Sequence, residues 1–257
     1  MMQVWKTLPE WHKRRRALSG QSIGLVPTMG ALHQGHISLV ERCRRENQVT
    51  VVTIFVNPAQ FNDPKDLERY PRTLESDLAL LEALGTDDVL VPIAADLYPH
   101  GYRFRIEADS LTQLMEGKHR PGFLQGVMTV VLKLLNLVRA NRAYFGEKDY
   151  QQLRTITEMV DEFFIPTEIV PCPTVRESSG LAESSRNRLL SASARERAAS
   201  LFRVLTAAAG VNEAKSLLEG EGFAVDYLEE HWGRRFVAAF IEGVRLIDNV
   251  PIPSPDR

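Results

Sequence analysis

IGLVPTMGALHQGH, residues 23–36, is the stretch that decides the fold of this sequence. Its first five residues, Ile23–Pro27, form a short apolar run, and polar turn residues lead from it into Ile37–Glu46, where apolar residues recur at helical spacing. The next run, Val49–Val56, is rich in β-branched residues and apolar on both faces, which is typical of a strand buried on both sides of a sheet. A strand, a turn, a helix and a second strand in this order predict the β–α–β unit of a parallel sheet.

The same alternation continues along the chain to about residue 174. A helical leucine stripe begins at Leu74, and further strands and helices are predicted at Asp88–Pro92, Val127–Ala140, Ala143–Gly146, Gln151–Phe164 and Thr167–Pro171. The pattern therefore predicts an α/β domain over residues 1–174 with a doubly wound parallel sheet. In such a sheet, ligands bind outside the carboxyl ends of the strands.

From Val175 onward the pattern changes, and residues 175–257 are predicted to form a smaller α+β domain. Two helices are followed by three short strands, at Ser193–Ala209, Glu213–Glu219, Val225–Glu229, Arg235–Ile241 and Val244–Asn249. The proline-rich tail Pro251–Arg257 is expected to fray.

Composition excludes several classes of protein. The 257 residues include 31 Lys and Arg against 33 Asp and Glu, so the net charge of −2 argues against non-specific nucleic-acid binding. No apolar run approaches the roughly 18 uncharged residues of a membrane span, and we expect no signal peptide because residues 1–16 lack an apolar core. Two cysteines cannot build a disulfide framework, which favours a reducing compartment and predicts a cytoplasmic protein.

The H-x-G-H sequence at His33–His36 is the most specific local signal. It lies where a strand passes into a helix, and helix N-terminal amides attract phosphate. The spacing of Gly30 and Gly35 resembles a P-loop, but His36 and Ile37 replace the required Lys and Ser or Thr, and no G-x-G-x-x-G fingerprint is present. We interpret the motif as a phosphate site. A turn with two surface histidines, core packing, or a zinc site lacking an obvious third ligand are the alternatives.

Three further segments carry polar side chains at predicted strand ends or in a glycine-containing loop. Asn57 and Gln60 follow the second strand, and an amide can both donate to a carboxylate and accept from a hydroxyl, which suits a small hydroxy acid. Lys148 offers a point charge for phosphate, and Ser184-Ser185-Arg186 could clamp terminal phosphates. The alternatives are an Asn-Pro turn, a helix cap and a solvent loop.

Combined, these motifs resemble the pantoate–β-alanine ligase family, a group of HIGH-type nucleotidyltransferases. The matching stretches are PTMGALHQGHISLV, FVNPAQF, YPRTLESDL, GEKDYQQ, GLAESSRN and RLIDN. The resemblance implies a Rossmann-like first domain, a small C-terminal lid and a homodimer. It also implies that pantoate and β-alanine are joined with ATP and Mg²⁺ through a pantoyl-adenylate, releasing AMP and pyrophosphate.

The resemblance also implies roles for individual residues. His36 matches the proton donor, and Gln60 and Gln152 match substrate-binding positions, to which we add Asn57 from its place at the strand end. We further expect His33, Lys148 and Arg186 to stabilise the pyrophosphate together with His36. The residues that match the ATP site are Met29, Gly30, Ala31, Leu32, His33, Gln34, Gly35, His36, Gly146, Glu147, Lys148, Asp149, Val175, Glu183, Ser184, Ser185 and Arg186.

The sequence also departs from the family pattern. Phe123 stands where a histidine is usual, Ser179 replaces an aspartate, and Glu183 replaces an apolar residue, so we expect only the backbone of Glu183 to face the nucleotide. Asp77 matches an acidic position associated with metal in some members, but an acid in the first turn of a helix explains it better, and the metal ligands stay unassigned. The competing functions are another HIGH-type nucleotidyltransferase acting on a small acid or phosphate, and a nucleotide-binding protein without activity.

Overall fold

The computed structural model describes Met1 to Ile252, and the chain divides into two compact units. The first contains Met1–Gly146 and Gln151–Cys172, and the second contains Glu147–Tyr150 together with the described residues from Pro173 onward. Within the described residues, none of the helices has the length and apolar character that a membrane span requires. Of the expected frayed tail, residues 253–257 lie outside the described part of the chain, and Pro251 ends a strand.

A six-stranded sheet with flanking helices makes up the first unit. Its strands are β1 (Gln3–Trp5), β2 (Ile23–Thr28), β3 (Val49–Ile54), β4 (Asp88–Leu90), β5 (Arg142–Gly146) and β6 (Glu168–Cys172). Its helices are α1 (Leu8–Ala17), α2 (Gln34–Glu46), α3 (Pro64–Arg69), α4 (Leu74–Ala83), α5 (Ala94–Leu97), α6 (Met115–His119), α7 (Phe123–Val138) and α8 (Tyr150–Glu162, whose first residue groups with the second unit).

The strands lie in the order β1-β4-β3-β2-β5-β6, and every neighbouring pair is parallel. This arrangement confirms the predicted doubly wound fold. The chain passes from β2 through α2 to β3 on one side, whereas β5 and β6 lie on the other side, so the order reverses between β2 and β5. A crevice outside the carboxyl ends of the strands at such a reversal is where doubly wound sheets bind ligands.

Burial explains why these segments form strands and helices. All six residues of β3 are buried, as its apolar sequence predicted. Most of α7 is buried as well, and the indole Nε1 of Trp11 in α1 donates to the carbonyl of Leu137, 2.9 Å away. The short elements β1, α3, α5 and α6 were not predicted, because three to six residues carry too little periodic pattern to recognise.

The second unit packs three helices on a three-stranded antiparallel sheet. Its elements are α9 (Ala192–Ala198), α10 (Ser200–Ala207), α11 (Val211–Gly220), β7 (Ala224–His231), β8 (Arg234–Ile241) and β9 (Val244–Pro251). Two-residue turns join the strands, at Trp232-Gly233 and Glu242-Gly243, and all four residues have positive φ, as a type I′ hairpin requires. The first of these turns lies between Leu228 and Arg235, so only two residues separate β7 from β8.

Several predicted boundaries differ from the structure, and two of these differences change the organisation of the chain. The segment Ser193–Ala209 forms two helices, because the amide of Ala199 donates to Glu196, three residues back, and interrupts the regular α-helical pattern. The predicted domain boundary after residue 174 falls two residues beyond Cys172, and Glu147–Tyr150 group with the second unit.

Gly126 lies where α7 passes closest to the turn that follows β3. A Cβ on Gly126 would lie 2.3 Å from the carbonyl oxygen of Ala59. Gly126→Ala is therefore expected to lower the free energy of unfolding by about 1–3 kcal/mol through overpacking, measured by chemical denaturation. Gly220→Ala is the matched control, because its Cβ would meet nothing within 4 Å. Equal stability of the two variants would contradict the close packing.

Candidate functional site

The connection from β2 to α2 contains the predicted phosphate-binding motif. Gly30 and Ala31 both have positive φ (78° and 50°), and the amide of Gly30 donates to the hydroxyl of Thr28, 3.2 Å away. Two successive left-handed residues turn the chain sharply at the end of the strand. As a result, the amides of Ala31 and Leu32 point to the same side of the turn.

Both of these amides donate to one buried carboxylate. The amide of Ala31 lies 2.9 Å from Oδ2 of Asp77, the amide of Leu32 lies 2.9 Å from Oδ1, and the hydroxyl of Thr73 donates to Oδ2 at 3.0 Å. Successive backbone N–H groups arranged in this way form an anion-binding concavity. Asp77, only 3% exposed, fills it from within the protein. These contacts favour a role for Asp77 in fixing the turn over the weaker hypothesis of metal binding.

His33 and His36 form a reciprocal cap at the start of α2. Nδ1 of His33 accepts a hydrogen bond from the amide of Gly35 at 3.2 Å, and the amide of His33 donates to Nδ1 of His36 at 3.4 Å. A neutral imidazole that accepts at Nδ1 carries its proton on Nε2. The hydrogen-bond network therefore assigns both rings as Nε2–H donors. Their centroids are 4.1 Å apart, which brings the two imidazoles side by side.

Backbone groups fix the orientation of the Asn57 amide. Its Oδ1 accepts from the amide of Ala59 at 3.3 Å, and its Nδ2 donates to the carbonyl of Gly126 at 3.1 Å. Because a backbone N–H can only donate and a carbonyl can only accept, this side chain has one orientation. The second hydrogen of Nδ2 then points to Gln60, 3.0 Å away, so the Gln60 atom there is Oε1.

Gln60 consequently directs its Nε2 donor towards the connection from β2 to α2, which contains the predicted phosphate-binding motif. Nε2 lies 3.0 Å from the sulfur of Met29, which is only a weak acceptor. The sequence alone left open whether this amide would donate or accept. The structure favours donation, which suits a carboxylate ligand.

Tyr98 supports the same network and was not found from the sequence. Its hydroxyl donates to Oδ1 of Asn57 at 2.8 Å. Burial, with a smaller contribution from nearby Tyr102, raises the pKa of Tyr98 above its ordinary value, so the hydroxyl keeps its proton. No local motif marks Tyr98, because it lies 41 residues from Asn57 in the chain.

Adjacent glutamines on α8 differ sharply in their surroundings. Gln151 is buried: its Oε1 accepts from the amide of Glu116 at 2.9 Å, and its Nε2 donates to the carbonyls of Leu111 and Leu114 at 2.8 and 2.9 Å. Gln152, the predicted substrate-binding residue, is partly exposed. The structure thus assigns Gln151 to the interior and leaves Gln152 as the amide that a ligand can reach.

Phe123, which stands where the family usually has histidine, packs beneath an arginine. The guanidinium carbon of Arg120 lies 3.8 Å from the centre of the Phe123 ring. The same guanidinium contacts the Glu116 carboxylate at 3.3 Å and the carbonyl of Gln60 at 3.4 Å. The aromatic ring therefore supports Arg120 beside the Gln60 turn.

The remaining predicted ATP-binding residues belong to the second unit, apart from Gly146, which ends β5. Glu147–Asp149 form one turn of 3₁₀ helix, and Lys148 lies 3.9 Å from the Asp149 carboxylate with 19% of its side chain exposed. The hydroxyl of Ser184 caps the next 3₁₀ helix (Ser185–Leu189) by accepting from the amide of Arg186 at 3.2 Å. Ser185 is buried, whereas Arg186 is partly exposed.

Glu183 lies in a loop that is closed by its own backbone. The amide of Glu183 donates to the carbonyl of Val175 at 3.0 Å, and Arg176 pairs with Ala182 in an isolated β-bridge. The one N–H donor of Glu183 is thus used inside the loop. Partial burial, followed by the negative charge of Glu177, raises the pKa of Glu183.

Metal binding by protein groups alone has no support in the described residues. Nowhere within Met1–Ile252 do three or more His, Cys, Asp or Glu side chains lie together as a metal site would require. Mg²⁺ in nucleotide-dependent enzymes is commonly held by substrate phosphates with only one or two carboxylates.

Comparison with known proteins gives one consistent result. A family model described as pantoate-β-alanine ligase matches residues 1–251. Pantothenate synthetase of Bdellovibrio bacteriovorus is 49% identical over 252 residues, which cover 98% of this chain and all of that protein. The Coxiella burnetii protein of the same name is 44% identical over the full length of both.

Solved structures agree with the sequence comparison. A Francisella tularensis pantoate-β-alanine ligase, described as complexed with β-γ ATP and β-alanine, superposes with a TM-score of 0.94 at 42% identity and covers 98% of both chains. Pantothenate synthetase from Thermus thermophilus gives a TM-score of 0.91 at 42% identity, covering 98% of this chain and all of the other.

Replacing the Asp77 carboxylate tests its role in the turn. Asp77→Asn puts an N–H₂ group against a backbone N–H, so we expect a loss of about 1–3 kcal/mol in the free energy of unfolding and weaker ATP binding by calorimetry, both with Mg²⁺ and in EDTA. Thr73→Val, which removes only one of the three hydrogen bonds, should cost less. A loss of ATP affinity seen only with Mg²⁺ would favour metal binding instead.

The polarity of Gln60 is tested by an isosteric change. Gln60→Glu removes both N–H donors and should weaken the apparent affinity for pantoate roughly 10–100-fold, the value of a charge-assisted hydrogen bond. Steady-state kinetics at saturating ATP measures this loss. Gln48→Glu makes the same chemical change at an exposed position and should leave the kinetics unchanged. An unaltered pantoate KM in Gln60→Glu would refute the assigned orientation.

Proposed function

This chain belongs to the pantoate–β-alanine ligase family, and we propose on that premise that it makes pantothenate from pantoate and β-alanine through a pantoyl-adenylate. ATP is the co-substrate, and AMP and pyrophosphate are released. The observation that carries the proposal is that the Nε2 donor of Gln60 lies 3.0 Å from the sulfur of Met29, at the start of the fixed connection that leads into the H-x-G-H sequence. A donor suited to a carboxylate therefore lies against the same β2–α2 connection that carries the two histidines.

Activation of the acid is the first chemical step. A carboxylate does not acylate an amine directly, because oxide is too poor a leaving group. In the proposed step a pantoate carboxylate oxygen bonds to the α-phosphorus of ATP, the bond from that phosphorus to the β-phosphate bridging oxygen breaks, and pyrophosphate leaves. Gln60 orients the pantoate carboxylate, with Gln152 and Asn57 supporting the site. Positioning and electrostatic stabilisation dominate such reactions.

Charge on the departing pyrophosphate is offset by four side chains in this proposal. His33 and His36 donate hydrogen bonds from Nε2. His36, which matches the proton donor of the family, does so as a neutral imidazole. Lys148 and Arg186 supply positive charge. Mg²⁺, bound with the phosphates, neutralises further charge when present. The segments Met29–His36, Gly146–Asp149 and Glu183–Arg186, together with Val175, line the proposed ATP site.

Amide formation is the second step. The free amine of β-alanine attacks the carbonyl carbon of the mixed anhydride, a C–N bond forms, the C–O bond to AMP breaks, and the amine loses a proton. An acyl-adenylate hydrolyses readily in water, so we propose that the second unit serves as a lid during this step.

We further propose that the enzyme works as a cytoplasmic homodimer without nucleic-acid or membrane partners. Its two buried free cysteines suit a reducing compartment.

A nucleotidyltransferase that stops after the first step is the second candidate. Gln60 argues for a carboxylate substrate but does not by itself require an amine acceptor. Incubation with ATP, Mg²⁺ and pantoate, with and without β-alanine, separates the two functions. The ligase releases AMP and pantothenate in equal amounts only when β-alanine is present. A nucleotidylated product that survives addition of β-alanine would support the alternative.

Two substitutions test the assigned phosphate contacts. His36→Ala and Lys148→Ala should each lower turnover roughly 10²–10³-fold, by analogy with the loss of one oxyanion donor. Steady-state AMP release measures the effect, and circular dichroism checks the fold. His12→Ala and Lys13→Ala, exposed on α1, are matched controls that should keep full activity. Near-normal rates in both site variants would reject the assigned roles.

A further inference from the structure

The Asp248-Asn249 pair of β9 has no role in the function proposed so far. It belongs to the RLIDN stretch, Arg245–Asn249, and both side chains are almost completely buried, with 2% and 1% exposure. Buried polar side chains are costly unless their hydrogen-bonding groups find partners. The partners of this pair lie in the segments to which ATP contacts are assigned.

Asn249 uses each of its side-chain hydrogen-bonding groups. Its Nδ2 donates to the carbonyls of Glu147 and Lys148 at 3.0 and 2.9 Å, and its Oδ1 accepts from Nε of Arg234 at 2.5 Å. A carbonyl only accepts and a guanidinium only donates, so the amide has one orientation. Two donors and one acceptor on a short side chain are what this position requires.

Arg234 makes further contacts with the Glu147–Tyr150 segment. Its Nη1 lies 3.8 Å from the carboxylate of Glu147, and its guanidinium carbon lies 4.6 Å from the centre of the Tyr150 ring. Tyr150 also packs against Phe236 of β8, with ring centres 6.0 Å apart. These contacts explain why Glu147–Tyr150 group with the second unit although they directly follow β5 of the first.

Asp248 provides the corresponding link to the second loop. Its carboxylate receives two hydrogen bonds from Arg176, at 2.6 and 2.9 Å, and a third from the amide of Asn249 at 2.7 Å. Arg176 in turn donates to the carbonyl of Gly180 at 3.1 Å and stacks on Phe202. Two adjacent residues of β9 therefore fix the Lys148 segment and the loop that leads to Ser184.

We propose that Asn249 is a positioning residue for Lys148: it holds the two backbone carbonyls that flank the Cα of Lys148, so that the ammonium group is presented to the ATP phosphates. The inference rests on the proposed function, because it requires that Lys148 contact those phosphates. Lys148 is a point charge on a flexible stem, so its backbone is the part that the protein can hold in place. Displacement of a charged group by about 1 Å can cost on the order of 10²-fold in rate.

The test is a double-mutant cycle with Lys148. Asn249→Asp keeps the shape of the side chain and the contact with Arg234, but it puts an oxygen against the carbonyls of Glu147 and Lys148. We expect kcat/KM for ATP to fall roughly 10–100-fold with the KM for β-alanine unchanged. In a Lys148→Ala background the same change should cost less than about threefold, because a residue that acts through the lysine has no effect without it.

Asp226→Asn is the matched control. Asp226 lies in the same antiparallel sheet and pairs with Arg245 of β9 at 2.8 Å. This variant weakens an ion pair of β9 with another strand and should leave kcat/KM for ATP unchanged. Asn249→Ala is the second test variant, since it removes the two donors without adding an opposing oxygen.

Each outcome decides the proposal. Losses that multiply in the Asn249–Lys148 double variant, or a folded Asn249→Asp protein with normal ATP kinetics, would overturn it. Failure of both Asn249 variants to fold would also overturn it, because the residue would then support the unit as a whole. A wild-type chain that forms no pantothenate would instead contradict the proposed function. ATP affinity of the variants, measured by calorimetry, still reports on Asn249 in that case.

Discussion

The hydrogen bonds from the amides of Ala31 and Leu32 to the buried carboxylate of Asp77 hold the centre of the candidate site. They stabilise two successive left-handed residues, a conformation that is unfavourable for Ala31 on its own. That turn places His33 at the start of α2, where His33 and His36 cap each other through Nδ1. The internal carboxylate thereby fixes the backbone, and the backbone in turn places a proton on each Nε2.

Much of the fold follows from the sequence, because each long element carries its own pattern. β3 is apolar on both faces and proved to be buried throughout, and the strands flanking α7 and α8 were located to within one or two residues. The contacts that orient the site could not be predicted in this way, because they join residues that lie far apart in the chain and leave no local pattern. Asp77 acts 46 residues away from Ala31, Tyr98 acts 41 residues from Asn57, and Asn249 acts 101 residues from Lys148.

Position along the chain does not predict the unit to which the Lys148 segment belongs, and this difference matters for function. Lys148 comes two residues after β5, so continuity alone places it with the parallel sheet. Asn249 and Arg234 instead bind its segment to the antiparallel sheet of the second unit. A sequence motif such as GEKDYQQ marks the segment but contains nothing that says which unit holds it. Polar residues of β8 and β9 determine which unit holds the segment. The RLIDN stretch contributes one of them, Asn249, which binds the backbone on either side of Lys148.

Three amide side chains show how the structure separates supporting residues from ligand-binding ones. Gln151 and Asn249 both have their two N–H donors on backbone carbonyls, so neither has a donor left for a substrate carboxylate. Gln60 is satisfied at Oε1 by Asn57, but its Nε2 contacts only a thioether among the described contacts. A buried N–H₂ group with such a weak partner costs free energy in the unliganded protein. A carboxylate would remove that cost on binding, and for this reason we propose Gln60, rather than either of the other two amides, as the partner of the acid.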